Sequence, residues 1–175
     1  VMALTRLGLN QSINLATNVT GTLATGNGGT GATSFAPGKV LQVVQHAFTT
    51  EQNYNNSSYE ASFITGAITP SATSSKVFVM VETVATNNDT NSSYSKGRIY
   101  RGTTAIGNEI HYDRIHASPN AGFYRYMPIS LNFLDSPNTS SATTYTLYRL
   151  KHNGGLGYLG INGTQSTLTL MEIGT

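Results

Sequence analysis

The stretch KVFVMVETV, residues 76–84, has apolar side chains at most of its even and most of its odd positions. A strand that is covered on both faces has this pattern, so the stretch predicts a central β-strand. Shorter runs rich in Val, Ile, Thr and Tyr lie on both sides of it, separated by turn-forming clusters. The pattern predicts an all-β fold of about eight antiparallel strands, as a jelly roll or an immunoglobulin-like sandwich.

The sequence on either side of this stretch predicts further strands and loops. Residues 39–48 predict a mostly buried first strand, and residues 167–173 predict a last strand inside the sheet, because both of its faces are apolar. Residues 97–106 predict a strand that turns at Gly102 and Thr103. Loops are expected where polar residues or glycines cluster, at residues 51–60, 85–95, 111–126 and 152–163, the third being a long irregular insertion.

The composition excludes several classes of protein. Charged residues make up 10% of the chain, cysteine is absent, and the formal net charge is +2. No disulfide framework or cysteine metal site can form, and the small net charge does not favour nucleic acid as a partner. We expect no insertion into a membrane, because no segment approaches the ~18 consecutive apolar residues of a membrane span. We also expect no secretion signal at the start of the sequence.

A glycine-rich stretch, GNGGTGATS at residues 26–34, divides the chain. Four glycines in six residues favour a close-packed junction, with an ordinary flexible linker as the alternative. In the segment before it, residues 4–23, the spacing of the apolar residues fits neither a heptad repeat nor a β-strand. Three copies wound around one axis would cover these residues. The alternative is that the segment is a flexible terminal tail. We therefore predict a trimeric stalk and junction at residues 1–34 and a head domain at 35–175.

These segments resemble a known family. The run INLATNVTGTLATGNGGTGATS, residues 13–34, resembles the stalk-to-head junction of bacteriophage tail fibres. The runs ITPSATSSKVFVMVE (68–82), IYRGTTAIG (99–107), FLDSPNTSSATTYTLYRLK (133–151) and STLTLMEIGT (166–175) resemble their head domain. The resemblance implies a jelly-roll head similar to the C1q and tumour necrosis factor family, on a short intertwined trimeric stalk. Residues 108–127 match nothing in that pattern.

No pattern indicates an enzyme. Hydrolysis of a glycan needs two carboxylates about 5 to 10 Å apart, and the eight acidic residues are scattered, with only Glu109 and Asp113 close in sequence. No nucleophile elbow, phosphate-binding loop or dinucleotide fingerprint is present. His111 and His116 lack a standard metal-ligand spacing, so neither a metal nor another cofactor is expected, although a three-fold axis could triplicate a single ligand.

Binding is the stronger hypothesis. Five of the ten basic residues fall between Lys96 and Tyr126, interleaved with tyrosines. Tyrosine supplies a rigid ring with a polar tip, and arginine supplies a planar fork for phosphate or carboxylate, a combination that suits anionic glycans. Tyr100 and Arg101 are expected in the core or at a subunit contact. The predicted receptor-binding residues are those expected in loops: Tyr112, Arg114, His116, Tyr124 and Arg125.

The resemblance and the binding pattern together predict a non-enzymatic, homotrimeric tail-fibre tip. It would be made in the cytoplasm of a host bacterium and assembled with other virion tail or fibre proteins. It would attach the virion to a host cell-surface polysaccharide or lipopolysaccharide. The alternatives are a structural fibre or capsid decoration protein without receptor binding and, less favoured, a depolymerase of surface polysaccharide.

Overall fold

The structure is a computed structural model that describes residues 40–88, 93–115, 126–153 and 155–174. The side chains of residues 88 and 113–115 are outside that description. The described residues belong to the second of two units of the chain, Lys39–Thr175. The predicted stalk and junction at residues 1–34 lie outside the described residues, so the domain boundary stays a prediction.

Ten strands make up the described fold. In chain order they are β1 (Val40–Phe48), β2 (Gln52–Tyr54), β3 (Glu60–Ile68), β4 (Lys76–Asn88), β5 (Ser93–Arg101), β6 (Thr104–Ile115), β7 (Met127–Asp135), β8 (Thr143–His152), β9 (Leu156–Leu159) and β10 (Ser166–Ile173). A 3-10 turn, Ile161–Gly163, joins β9 to β10. Among the residues described, no helix has the length and apolar character needed to cross a membrane.

The strands form two antiparallel sheets. One has the order β1-β10-β4-β9-β2, with β7 along the other side of β4, and the second has the order β3-β8-β5-β6. The short strand β9 pairs with the end of β4 beyond the part that β10 pairs with, so it continues the line of β10. The eight long strands therefore form two four-stranded layers, β1-β10-β4-β7 and β3-β8-β5-β6. This arrangement is an antiparallel jelly-roll sandwich, and the predicted all-β fold class is confirmed.

The core lies between the layers. Val77, Val79 and Val81 of β4 face inward and are fully buried, as are Leu168 and Leu170 of β10. The prediction that the last strand lies inside the sheet is confirmed, since β10 runs between β1 and β4. The outward residues of β4 are only partly covered in the single chain, so the expectation that both of its faces are covered holds for the inner face alone.

Polar side chains close the two ends of the core. Arg101 donates to both carboxylate oxygens of Asp135, at 2.9 and 2.8 Å, and the Tyr145 hydroxyl donates to the same carboxylate at 2.7 Å. Burial and this hydrogen bond raise the pKa of Tyr145 well above its ordinary value. At the other end Arg149, 2% exposed, donates from Nη1 to Glu60 Oε1 at 3.1 Å. Asp135 and Arg149 thus each have a partner of opposite charge, which offsets the cost of their desolvation.

Several expectations about strands and loops were wrong. β1 is an edge strand with half-exposed residues, where a mostly buried strand was expected, because only β10 pairs with it. The polar stretches expected to be loops contain strands β2 and β9 and the ends of β4, β5 and β6. Buried hydrogen bonds account for the polar composition of these ends. The Ser95 hydroxyl, for example, donates to Asn87 Oδ1 at 3.0 Å.

The β5–β6 hairpin agrees with the prediction. β5 ends at Arg101 and β6 begins at Thr104, with Gly102 and Thr103 in the turn. Gly102 has a φ of 57°, a left-handed conformation that glycine adopts without steric cost. The sequence signal for this turn was therefore specific.

Candidate binding surface

Strand β5 directs its side chains alternately to the core and to the outside of the sandwich. Ser93, Ser95 and Ile99 are buried on the inner side. The residues between them are half-buried and lie on the outer face of the four-stranded sheet: Tyr94, Lys96, Arg98 and Tyr100. Cross-strand partners share a face, so the register with β8 places Tyr148 and His152 on this same outer face.

One cluster of rings, here called the Tyr94 group, consists of Tyr94, His111 and His152. The Tyr94 ring stacks on His152 with centroids 4.6 Å apart and on His111 with centroids 5.6 Å apart. The ammonium of Lys96 lies 5.5 Å from the centroid of the Tyr94 ring, within the range of a cation–π contact. The three strands β6, β5 and β8 each supply one ring, so the sheet register holds the group together.

A second cluster, here called the Tyr100 group, consists of Tyr59, Tyr100 and Tyr148. Tyr100 stacks on Tyr148 with centroids 3.9 Å apart, and Tyr59 lies at 6.1 Å from Tyr100. Tyr100 and Tyr94 are six residues apart on one strand, which corresponds to about 20 Å at the rise of a β-strand. Tyr94 and Tyr100 are therefore farther apart along β5 than the length of one sugar ring.

Glu109 organises the space between the two groups. Its Oε1 accepts hydrogen bonds from Lys96 at 2.7 Å and pairs with His111 Nε2 at 3.2 Å, and its Oε2 accepts from the Tyr59 hydroxyl at 3.0 Å. The hydrogen bond from Lys96, followed by that from Tyr59, lowers the pKa of Glu109 to about 2. Burial and the same bond to Glu109 raise the pKa of Tyr59. Glu109 thus stays ionised and positions one residue of each group.

Arg98 lies between the two groups. No described contact joins its guanidinium to Glu109. Its Nε–H donates to the Gly107 carbonyl at 3.1 Å, and its cross-strand partner is Tyr148. A guanidinium has five N–H donors in a planar fork, so four remain for other partners. The described charged residues of this face are Lys96, Arg98 and one carboxylate, Glu109, which leaves a positive balance suited to anionic ligands.

The prediction that Tyr112 is a loop residue available to a receptor was wrong. Tyr112 lies in strand β6, is 6% exposed, and shares a hydrogen bond of 3.0 Å with the Tyr54 hydroxyl inside the sandwich. Burial, followed by the interaction with Tyr54, raises its pKa well above the ordinary value. The neighbouring residue His111 takes the outward position instead, with 57% of its side chain exposed.

The other predicted receptor-binding residues are not described in full. The backbone of Arg114 lies in β6 opposite Tyr94, but its side chain is outside the described residues. His116, Tyr124 and Arg125 are outside them altogether, so their proposed roles stay predictions. Tyr100, expected in the core or at a subunit contact, is on the outer aromatic face, whereas Arg101 supports the core edge through Asp135.

Four members of the surface were missed at the sequence level: Tyr59, Glu109, Tyr148 and His152. They come from strands or loops far apart in the chain, and their only local signal is an aromatic or charged residue at an outward position of an alternating strand. Within the described residues no group of three or more His, Asp or Glu could hold a metal ion. The arrangement can therefore stack on and hydrogen-bond a ligand through tyrosine, histidine and arginine side chains.

No protein-family model and no curated protein matches this chain. Similar solved structures include a mutant VP2 protein of infectious bursal disease virus in T=1 particles, with 12% identity and a TM-score of 0.39 over 76% of this chain. A VP2 subviral particle of the same virus has 11% identity and a TM-score of 0.38 over 78% of this chain. A structure of the Gx strain of that virus has 12% identity and a TM-score of 0.38 over 82%.

In each case the similarity covers only part of the viral protein. The chain spans 36%, 38% and 41% of the lengths of those three VP2 chains, respectively. The described domain is an all-β, jelly-roll-like sandwich that resembles this virion protein at low sequence identity.

Proposed function

We propose that the protein is the head of a homotrimeric bacteriophage tail fibre that attaches the virion to an anionic glycan of a bacterial surface, a polysaccharide or lipopolysaccharide. It is made in the host cytoplasm and becomes part of the virion together with other tail or fibre proteins. The observation that supports this function most directly is the outer face of the four-stranded sheet, where two aromatic groups flank Lys96 and Arg98.

Aromatic rings and cations at this spacing suit a chain of sugars. Tyrosine and histidine rings pack against sugar rings and offer polar tips, while Arg98 can bind a carboxylate or phosphate in two-point geometry. Tyr94 and Tyr100 are about 20 Å apart along β5, and Glu109 joins the two groups between them, so an extended oligosaccharide lying along β5 would contact both. Glu109 holds Tyr59, Lys96 and His111 in place before a ligand arrives, which reduces the entropy cost of binding.

The outer face of the other sheet supports the trimer. Val43 pairs with Met171, Met171 with Phe78, and Phe78 with Leu134, so these four side chains form one row across β1, β10, β4 and β7. The two ends of this row, Val43 and Leu134, are 56% and 47% exposed. We name it the apolar row. A second copy of the chain is the occupant that we propose for it.

Position and chemistry favour a second copy over an unrelated partner. The apolar row runs from one edge of the sheet to the other. At the β1 edge, Val40 and Leu41 add two further half-exposed apolar residues. Two different edges that meet head to tail generate a closed ring of three copies when each contact rotates the chain by about 120°. The predicted stalk precedes β1 in the sequence, and its leucines would also be covered if three copies of the chain associate.

Three copies also make weak sugar contacts useful. A single shallow surface binds sugars weakly, because ordering and desolvation offset most of the contact energy. When three heads on one fibre engage one polymer, the second and third contacts form within one complex and raise the overall avidity by ~10²-fold or more. The chain contains no cysteine, so core packing and hydrogen bonds, and not disulfides, must keep the fold intact outside cells.

We also propose that the protein binds without hydrolysis. A glycosidase requires a carboxylic acid that is protonated at working pH, and Glu109, the carboxylate of the aromatic face, has its pKa lowered to about 2. The apolar row alone would equally serve a structural fibre or decoration protein. Loss of host binding after substitution of the aromatic face separates this alternative from adhesion.

The test is a competition experiment with the full chain. Purified protein should bind susceptible cells, compete with phage adsorption, and bind the purified acidic polysaccharide of those cells without releasing reducing ends. Variant Arg98→Glu should lose most of this competition while keeping the wild-type mass in solution. Unchanged competition by Arg98→Glu would favour the structural role, and new reducing ends would favour the depolymerase.

A further inference from the structure

A cleft opens at one end of the six-stranded sheet, away from the aromatic face. It has a volume of about 280 Å³ and is lined by Glu51, Tyr126, Tyr158, Ile161 and Asn162. Along β4 the apolar row lies at Phe78, whereas the cleft lies beside Thr86, about 26 Å away at the rise of a β-strand. The cleft is therefore separate from both surfaces described above.

Two tyrosines form opposite walls of the cleft. Tyr158 of β9 pairs with Thr86 on one side of β4, and Met127 of β7 pairs with Ala85 on the other side. Tyr126 directly precedes Met127, so it flanks Thr86 across β4 from Tyr158. Tyr126 is 54% exposed, which leaves its ring accessible to a ligand. Paired tyrosines across a groove of this size suit a single flat ring.

A tight turn forms the polar wall of the cleft. The backbone N–H of Asn162 donates to Glu51 Oε2 at 2.9 Å, which orients that carboxylate. Gly160, Asn162 and Gly163 have φ values of 63°, 55° and 71°, all in the left-handed region. A Cβ on Gly160 would lie 2.5 Å from the Thr50 carbonyl oxygen. Asparagine adopts the left-handed conformation more readily than most other non-glycine residues, so this turn holds Asn162 at the edge of the cleft.

We propose that this cleft is a second sugar-binding subsite, specific for a neutral monosaccharide unit. The tyrosine rings would pack against the apolar face of the sugar, Glu51 would accept hydrogen bonds from its hydroxyls, and the Asn162 amide would donate and accept. None of the five lining residues within the described part of the chain is basic, and Glu51 repels anions, so we expect the subsite to discriminate against acidic sugars. This preference is the opposite of that of the aromatic face.

The inference rests on the proposed function in that both assume a glycan ligand, but the two sites can be tested apart. The full chain is titrated by NMR with methyl glycosides of glucose, galactose, mannose and N-acetylglucosamine, and with glucuronic acid. At least one neutral glycoside should bind, and glucuronic acid should bind the cleft at least ~10-fold more weakly.

Variants locate the binding. Tyr158→Ala should weaken the neutral glycoside at least ~10-fold and Glu51→Gln several-fold, while Tyr158→Phe retains most of the affinity and shows that the fold survives. Tyr94→Ala, on the aromatic face, should leave the affinity for the neutral glycoside unchanged. If none of the four neutral glycosides binds, or if Tyr158→Ala and Glu51→Gln bind as the wild type does, the subsite is disproved. Binding in the cleft without competition on cells would instead disprove adhesion alone.

Discussion

The two sheets bury their inner faces in the same core, but their outer faces present opposite chemistry. On the four-stranded sheet the outward positions of β5 and β8 carry tyrosine, histidine, lysine and arginine. On the other sheet, the outward positions at one end carry the apolar row, with Val43 and Leu134 about half exposed. From this difference we propose that one face meets a polar ligand and that further protein covers the other.

The largest expected effect comes from placing charge in the apolar row. The double variant Val43→Asp, Leu134→Asp should convert the proposed trimer to a monomer, because three copies would bury six carboxylates. Both side chains point away from the core, so the domain itself should still fold. Light scattering should give three times 18.6 kDa for the wild type and 18.6 kDa for the variant. A wild type that is monomeric at all concentrations contradicts the trimer.

The next effect concerns the aromatic face. Tyr148→Ala removes the ring that stacks on Tyr100 and should lower binding to susceptible cells at least ~10-fold, with the trimer intact. Thr144→Ala is the matched control, because Thr144 is exposed on the same strand outside both aromatic groups. Cell binding measured with labelled protein should be normal for the control. Equal binding by both variants would show that this face does not meet the receptor.

Salt should distinguish the two faces with a smaller effect. Raising the ionic strength from about 0.05 to 0.5 M shortens the screening length and should weaken binding of an acidic polysaccharide several-fold. Association through the apolar row should be unchanged or slightly stronger, because apolar contacts carry no charge to screen. Both are measurable in one sample series, by surface binding and by light scattering. Salt-insensitive polysaccharide binding would exclude Lys96 and Arg98 as its main contacts.

The smallest effect concerns Glu109. Glu109→Gln should cost about 0 to 1 kcal/mol of unfolding free energy at pH 7, because the carboxylate is 38% exposed and screened by solvent. The folded-state pKa of about 2 is below the ordinary 4.5, so the stabilisation is present above pH 4.5 and is lost as the pH falls towards 2. Melting temperatures of wild type and variant should therefore converge near pH 2. A gap that is constant from pH 7 to 2 would contradict this network.

Local patterns predicted the strands whose burial follows from their own residues. The run 76–84 became the centre of β4, the last strand lies inside the sheet, and the turn at Gly102 and Thr103 joins β5 to β6. Strand ends that are polar yet buried were missed. Ser93, Ser95 and Asn87 look like loop residues in sequence, and only their hydrogen bonds inside the sandwich make them strand residues.

The binding surface was predicted only in part, because β6 runs through residues that were expected to form a loop. Ile106 and Tyr112 are six residues apart on β6 and both are buried, so strand alternation places Tyr112 on the inner side and His111 on the outer face. This orientation is the reverse of what a receptor role for Tyr112 requires.

The sequence by itself determined an all-β sandwich and the concentration of tyrosine and basic residues between Lys96 and Tyr126, because alternation and composition are local properties of the chain. Only the tertiary structure decided which of these side chains meet. Tyr94 reaches His152, and Glu109 reaches Tyr59, across large separations in sequence, and the register of the β5–β6 hairpin brings His111 to Tyr94 and Glu109 to Lys96. Such register depends on the packing of the whole sandwich, which no local pattern records.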